Sequence, residues 1–184
     1  LTYGYLNSRF QTGLKNLLDK AVLEHRDLEP IAERHHIVDE IPFDFQRRRM
    51  SVVVSEQPGE DLLICKGAVE EMLGICTQAK WDEEILPITE PMRAQIKAMT
   101  RRLNEDGLRV LVVATRRQPS SGRAYGVADE SDLTAIGCLA FLDPPKDTAA
   151  TAIAALHQHG VTVKVLTGDN EAVTRKICRE VGLD

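Results

Sequence analysis

Apolar residues return at helical spacing between Gln11 and Glu24, where Leu14, Leu17, Leu18, Ala21 and Val22 share one face and Thr12 offers an N-cap. A shorter helix is expected from Pro30 to His35, then an extended stretch from His36 to Phe43 with Pro42 fixing its end. The β-branched run beginning at Met50 and the apolar run beginning at Asp61 read as paired strands, with Pro58-Gly59 at the turn between them. Helices follow from Ala68 to Cys76 and from Pro91 to Glu105, the second stopped by Gly107. Leu108 to Thr115 is an apolar strand, and Arg116 to Asp132 reads as a surface excursion.

From Ala135 the pattern changes. An apolar strand to Asp143, a helix from Lys146 to His159, a strand from Val161 to Thr167 and a helix from Asn170 to Val181 have the order of a parallel sheet. The expectation is therefore an α+β fold. An antiparallel sheet with flanking helices occupies residues 1–134, and an incomplete βαβα piece occupies residues 135–184. A piece of about fifty residues cannot cover both faces of a parallel sheet.

Composition narrows the function classes. The chain has 184 residues, 43% of them hydrophobic, enough for a real core. Its net charge of -5 disfavours nucleic acid, which needs a basic field. No apolar run approaches the ~20 residues of a bilayer span, and no signal-peptide pattern is present. Cys65, Cys76, Cys138 and Cys178 lie far apart, as reduced thiols in a cytosolic protein do. His157 and His159 precede Gly160 where a helix ends, which favours a role at the helix dipole over a metal site. The chain opens on Leu1 and ends on Asp184 directly after a helical pattern, and it reads as a segment of a longer protein.

Five stretches could carry chemistry. In Pro42–Val54 a bend over Asp44–Arg48 would leave Phe43 and Arg48 at the rim of a sheet. Phe43 is then either a ring for a base or a core residue, and the arginines take phosphate or face solvent. Lys66 and Gly67 end a strand and open a helix, where glycine lets a ligand approach the backbone. Arg109 begins a strand and can serve a ligand or snorkel. Pro144-Pro145 force the chain out of the sheet at Asp143, and Lys146 sits at a helix start, a poor place for a cation without an anion nearby. Gly168 supports a second turn in which Asp169 or Asn170 caps the last helix. Capping leaves Asp143 unexplained.

In their order, PFDFQRRRMSV, CKGA, GLRVLVVA, DPPK and TGDN resemble the cytoplasmic part of a P-type cation-transporting ATPase, from about Gln11 to Asp184. The opening LNSRFQTGLKNLLDKAVL and the wording around Phe43 are most similar to the bacterial magnesium-importing branch. The resemblance implies a nucleotide-binding domain over residues 1–134, then the start of a haloacid-dehalogenase-like phosphorylation domain. It implies ATP, carried as Mg2+-ATP, with Phe43 stacking on adenine, Lys66 and Gly67 on the pocket floor and Arg109 reaching the phosphates. Arg48 stands where many relatives carry lysine, and Gln11 about where many carry a glutamate that contacts adenine. Asp143, with Lys146 in place of the commoner arginine, would hold loops near the ribose, and Thr167, Gly168 and Asp169 would surround the transferred phosphate.

The family's phosphorylated aspartate in DKTGT, its GDGxND loop and its TGES loop are absent from this sequence, so no catalytic residue and no protein metal site is assigned. The implied partners are the remaining phosphorylation, actuator and transmembrane domains of the same pump. The membrane, a bacterial inner membrane, is reached only through those other segments, and the chain is expected to be cytoplasmic. Two rivals remain: a non-catalytic regulatory or interaction domain, and a haloacid-dehalogenase-type phosphatase, for which the DxDx nucleophile motif is missing.

Overall fold

The computed structural model describes every residue except Leu14, Asp143, Asp169 and Asp184. It divides into two compact units, Leu1–Ala94 with Leu111–Leu139, and Gln95–Val110 with Ala140–Asp184.

The first unit begins with a helix that periodicity did not announce, α1 (Thr2–Phe10), followed by α2 (Leu17–Leu23). The expected single helix from Gln11 is therefore corrected. Gln11 is extended and ends α1, and Thr12 does not cap a helix: its N–H and Oγ1 both donate to Glu40 Oε2, at 2.9 and 2.7 Å. Asn16 caps α2 instead, because Asn16 Oδ1 accepts from Asp19 N while Asp19 Oδ2 accepts from Asn16 N, a capping box. Val22 is buried, but Leu17 is 69% exposed, so the predicted face is only partly used; Leu14 lies outside the described residues. A 3-10 turn (Arg26–Leu28) and α3 (Glu29–Ala32) lead into the sheet.

Among the described residues seven strands follow: β1 (His36–Asp44), β2 (Arg49–Gln57), β3 (Glu60–Gly67), β4 (Cys76–Trp81), β5 (Glu84–Pro87), β6 (Leu108–Pro119) and β7 (Leu133–Leu142). Their order is β1-β2-β3-β6-β7-β4-β5. Neighbours from β1 through β6 run antiparallel, as do β4 and β5, but β4 and β7 are parallel. The sheet is mixed rather than antiparallel. The helix α4 (Val69–Ile75) leaves β3 and delivers β4 to the far side of the sheet, beside β7 instead of β3. Val52 to Val54 and Leu62 to Cys65 are buried without alternation, as strands covered on both faces are. The element α1 contributes cover, and Asn7 Nδ2 donates to Ile64 O at 2.8 Å.

Pro42 does not end β1. It lies on an edge strand at a register irregularity between Ile41 and Asp44, where a missing N–H costs no ladder bond. Nor does the apolar strand stop at Thr115. Arg116 to Pro119 continue β6 opposite Leu63 to Glu60, with Arg117 Nη1 donating to Glu60 Oε2 at 2.7 Å. The remaining excursion is anchored rather than loose. Tyr125 is buried, its hydroxyl donates to Asp61 Oδ2 and its N–H to Asp39 Oδ2, both at 2.6 Å.

In the second unit, the latter part of α5 (Glu90–Glu105) ends at Gly107, whose φ of 88° is the left-handed stop expected there. The helices α6 (Ala149–Gln158) and α7 (Glu171–Glu180) form, the latter capped by Asn170 Oδ1 accepting from Ala172 N at 2.9 Å. The strand expected over Val161–Thr167 does not form: those residues take no strand conformation in the ladder of the sheet, and Leu166 is 95% exposed. Hydropathy marks an extended run but supplies no neighbour for it.

Candidate functional site

The end of the β1–β2–β3 edge carries the candidate chemistry of the first unit. Between β1 and β2 the chain turns tightly over Asp44–Arg48. Asp44 Oδ1 accepts from the N–H groups of Gln46 and Arg47, both at 2.8 Å, and Arg48 N donates to Asp44 O at 2.7 Å. These amides, with burial opposing them, hold the Asp44 carboxyl below its ordinary value. Arg48 takes a left-handed φ of 46°, a conformation uncommon for a side-chain-bearing residue.

The turn puts two phenyl rings in water. Phe43 is 52% exposed and Phe45 is 88% exposed, and their centroids lie 5.3 Å apart, edge to face. Of the three arginines, Arg48 points outward and meets Glu71 Oε1 at 3.2 Å, while Arg47 and Arg49 turn inward. Arg47 Nη1 and Arg49 Nε both donate to Glu130 Oε2, at 2.6 and 2.8 Å, and Ser51 Oγ donates to Glu130 Oε1 at 2.8 Å. Glu130 is fully buried among them.

Gly67 faces the same turn. A Cβ there would lie 2.5 Å from Arg49 Cβ and 2.7 Å from Arg48 O, closer than any side chain is tolerated. Ala68 N donates to Arg48 O at 3.1 Å, so the β3–α4 junction and the rim turn are tied backbone to backbone. Lys66 points the other way. It is buried, and its Nζ donates to Asp19 Oδ1 and, at 2.8 Å, to Ser8 Oγ, which itself donates to Asp19 Oδ1 at 2.8 Å. Burial pushes the Lys66 ammonium below its ordinary pKa, against the pull of Asp19. Burial would raise the Asp19 carboxyl, but the Lys66 hydrogen bond and charge, with help from Gln11 and Ser8, bring it below the usual range. Gln11 is buried beside Asp19, and its Nε2 makes no hydrogen bond among the described residues.

The sequence-derived residues separate accordingly. Phe43, Arg48 and Gly67 meet at the exposed rim, and Gln11 and Lys66 meet beneath it around a carboxylate. Arg109 stands half-buried on β6, and Lys146, Thr167 and Gly168 are exposed; these four belong to the second unit. Asp143 and Asp169 lie outside the described residues. Sequence reasoning missed Asp19 and Glu130. The Asn16-x-x-Asp19 spacing of a capping box was a visible signal for the first. Nothing local marks the second, whose arginine partners are 83 and 81 residues away. Among the described residues no group of three or more His, Cys, Asp or Glu could hold a metal ion, and no helix is long and apolar enough to cross a membrane.

An outward aromatic pair beside a cation suits a flat, π-bearing anion, with the ring face taking the base and the guanidinium the charge. Residues 5–148 match the family model described as P-type ATPase, cytoplasmic domain N. The chain is 54% identical over 183 residues to a magnesium-transporting ATPase, P-type 1, of Escherichia coli K12, covering 98% of this chain and 20% of the relative. A protein of the same description from Salmonella typhimurium LT2 is 52% identical over the same shares. A calcium-transporting ATPase of Listeria monocytogenes is 29% identical over 86% of this chain and 18% of its own length. The chain thus spans about a fifth of the length of the curated relatives it matches most strongly. With a family model that covers most of its length and relatives more than half identical to it, the chain belongs to the P-type ATPases and contains their cytoplasmic N domain.

Proposed function

We propose that this chain is the ATP-binding segment of a membrane pump that moves cations, magnesium by the description of its most similar relatives, and works through an aspartyl phosphate. The observation that carries the reading is the water-facing Phe43–Phe45 pair beside Arg48 and Gly67. Phe43 presents a face to adenine, Arg48 offers charge to the phosphates, and Gly67, lacking a side chain, lets the rim turn pack against the β3–α4 junction. Lys66 and Gln11 act from below: their cluster with Asp19 fixes the end of β3. ATP, entering as its Mg2+ complex, supplies the phosphoryl group. The acceptor aspartate belongs to the rest of the pump, since DKTGT does not occur in this sequence.

Residues 1–134 are the nucleotide-binding domain in this reading. Arg109 reaches the phosphates from that domain, and residues 135–184 begin a haloacid-dehalogenase-like phosphorylation domain, in which Asp143, Lys146, Thr167, Gly168 and Asp169 serve the phosphate end. The actuator and transmembrane domains are the partners, and the chain lies on the cytoplasmic side of the membrane. Mg2+-ATP titrated calorimetrically into the chain should bind, and Phe43→Ala should weaken binding about tenfold, the scale of one lost base–aromatic stack. No heat at millimolar ATP, or equal affinity in Phe43→Ala, would sink the proposal.

A further inference from the structure

We infer that Glu130 is a positioning residue of the nucleotide site, holding the Phe43–Arg49 turn in the shape that presents Phe43; this rests on the nucleotide reading above. The path is short and made of strong bonds. Glu130 Oε2 receives Arg47 Nη1 at 2.6 Å, and the other terminal nitrogen of Arg47 donates to Pro42 O at 2.7 Å, the carbonyl of the peptide that leads into Phe43. The same carboxylate oxygen receives Arg49 Nε at 2.8 Å on the far side of the turn, where Arg49 packs against Gly67. Its second oxygen receives Ser51 Oγ on β2. One carboxylate thus grips both ends of the turn that carries Phe43, Phe45 and Arg48.

Burial sharpens the point. A carboxylate removed from water is costly unless its lone pairs are met, and apolar groups of the same volume commonly stabilise a fold as well or better. The excursion that brings Glu130 here has its own anchors, Tyr125 on Asp61 and Asp39, and Ser120 on Asp61. A buried charge is therefore not needed to fasten the excursion. It is needed to gather two guanidinium groups to one point, and gathering them turns Arg47 and Arg49 inward while Arg48 faces solvent.

The test titrates Mg2+-ATP into the chain and into Glu130→Gln, Phe43→Ala and the double variant, with the nuclear Overhauser effect between the Phe43 and Phe45 rings read in each phenylalanine-intact protein. Glutamine keeps the shape but loses the charge. The dissociation constant should rise about tenfold in Glu130→Gln, the scale of a small misplacement of a contact group. In the Phe43→Ala background the same change should matter less than about twofold, because the two residues act in series. The ring-to-ring signal should fall in Glu130→Gln. If Glu130→Gln fails to fold, Arg47→Lys, which keeps a cation for Glu130 but loses the fork to Pro42, carries the same expectations. Binding that weakens in Phe43→Ala but not in Glu130→Gln, with the ring signal intact, overturns the inference alone. So do effects that add in full in the double variant, which would mark a general loss of structure. Wild-type chain that ignores ATP overturns the nucleotide reading and this inference with it.

Discussion

The two sides of the β3 terminus invert the usual arrangement of a globular protein. On one side, Lys66, Asp19 and Ser8 bury two charges and a hydroxyl; on the other, Phe43 and Phe45 hold two phenyl rings in water. Adjacent residues of one strand separate them, with Lys66 facing in and Gly67 facing the rim turn. The contrast teaches how to divide stability from recognition here. An internal ion pair is sensitive to the loss of either partner, because the survivor is stranded in a poor solvent. Exposed rings contribute little to the fold and remain available to a ligand.

The sharpest way to break this division is Asp19→Asn. With Lys66 left buried and uncompensated, urea unfolding should show a loss of about 3–5 kcal/mol, and the double change Asp19→Leu with Lys66→Met should restore most of it. The sign of the pH dependence follows from the lowered Asp19 carboxyl. Its contribution is fully present above the ordinary value of 3.8 and disappears as the pH falls through the lower folded value, so wild type and Asp19→Asn should converge in acid. A cost under about 0.5 kcal/mol at neutral pH would place the pair among surface contacts instead.

Gly67→Ala should have an intermediate effect. The added methyl meets the Arg49 side chain and the Arg48 carbonyl, and overpacking of this kind costs about 1–3 kcal/mol, read from the thermal midpoint. An unchanged midpoint would mean that the rim turn yields freely. The smallest effect belongs to the rings. Phe43→Ala and Phe45→Ala should each leave unfolding stability within about 0.5 kcal/mol, so that any loss of ATP affinity is a loss of contact. Marked destabilisation would return both rings to the core.

What the sequence disclosed depended on whether the signal was local. The hairpin β2–β3, its Pro58-Gly59 turn and the stop at Gly107 follow from β-branched runs and turn residues, and they stand in the structure. The helix α1 escaped notice because its buried positions, Gly4 through Ser8, are consecutive and largely polar or small, so they have no period of 3.6. The bend over Asp44–Arg48 and the position of Phe43 at a rim were legible from the clustering of polar residues beside aromatic ones. The fates of the three arginines were not, because their carboxylate arrives from a distant excursion. Val161–Thr167 shows the same limit in reverse: a strand is a relation between segments, and its own residues cannot supply the other half.

The exposed apolar residues of that run have a colloidal consequence. Val161, Val165 and Leu166 face water in a β-prone segment of the kind through which identical chains join edge to edge. Lys164 interrupts it with an exposed charge. Were copies to stack in register at the cross-β spacing of about 4.7 Å, their ammonium groups would form a ladder of like charges. One lysine in the middle of an apolar run thus penalises pairing of that run with its own copies.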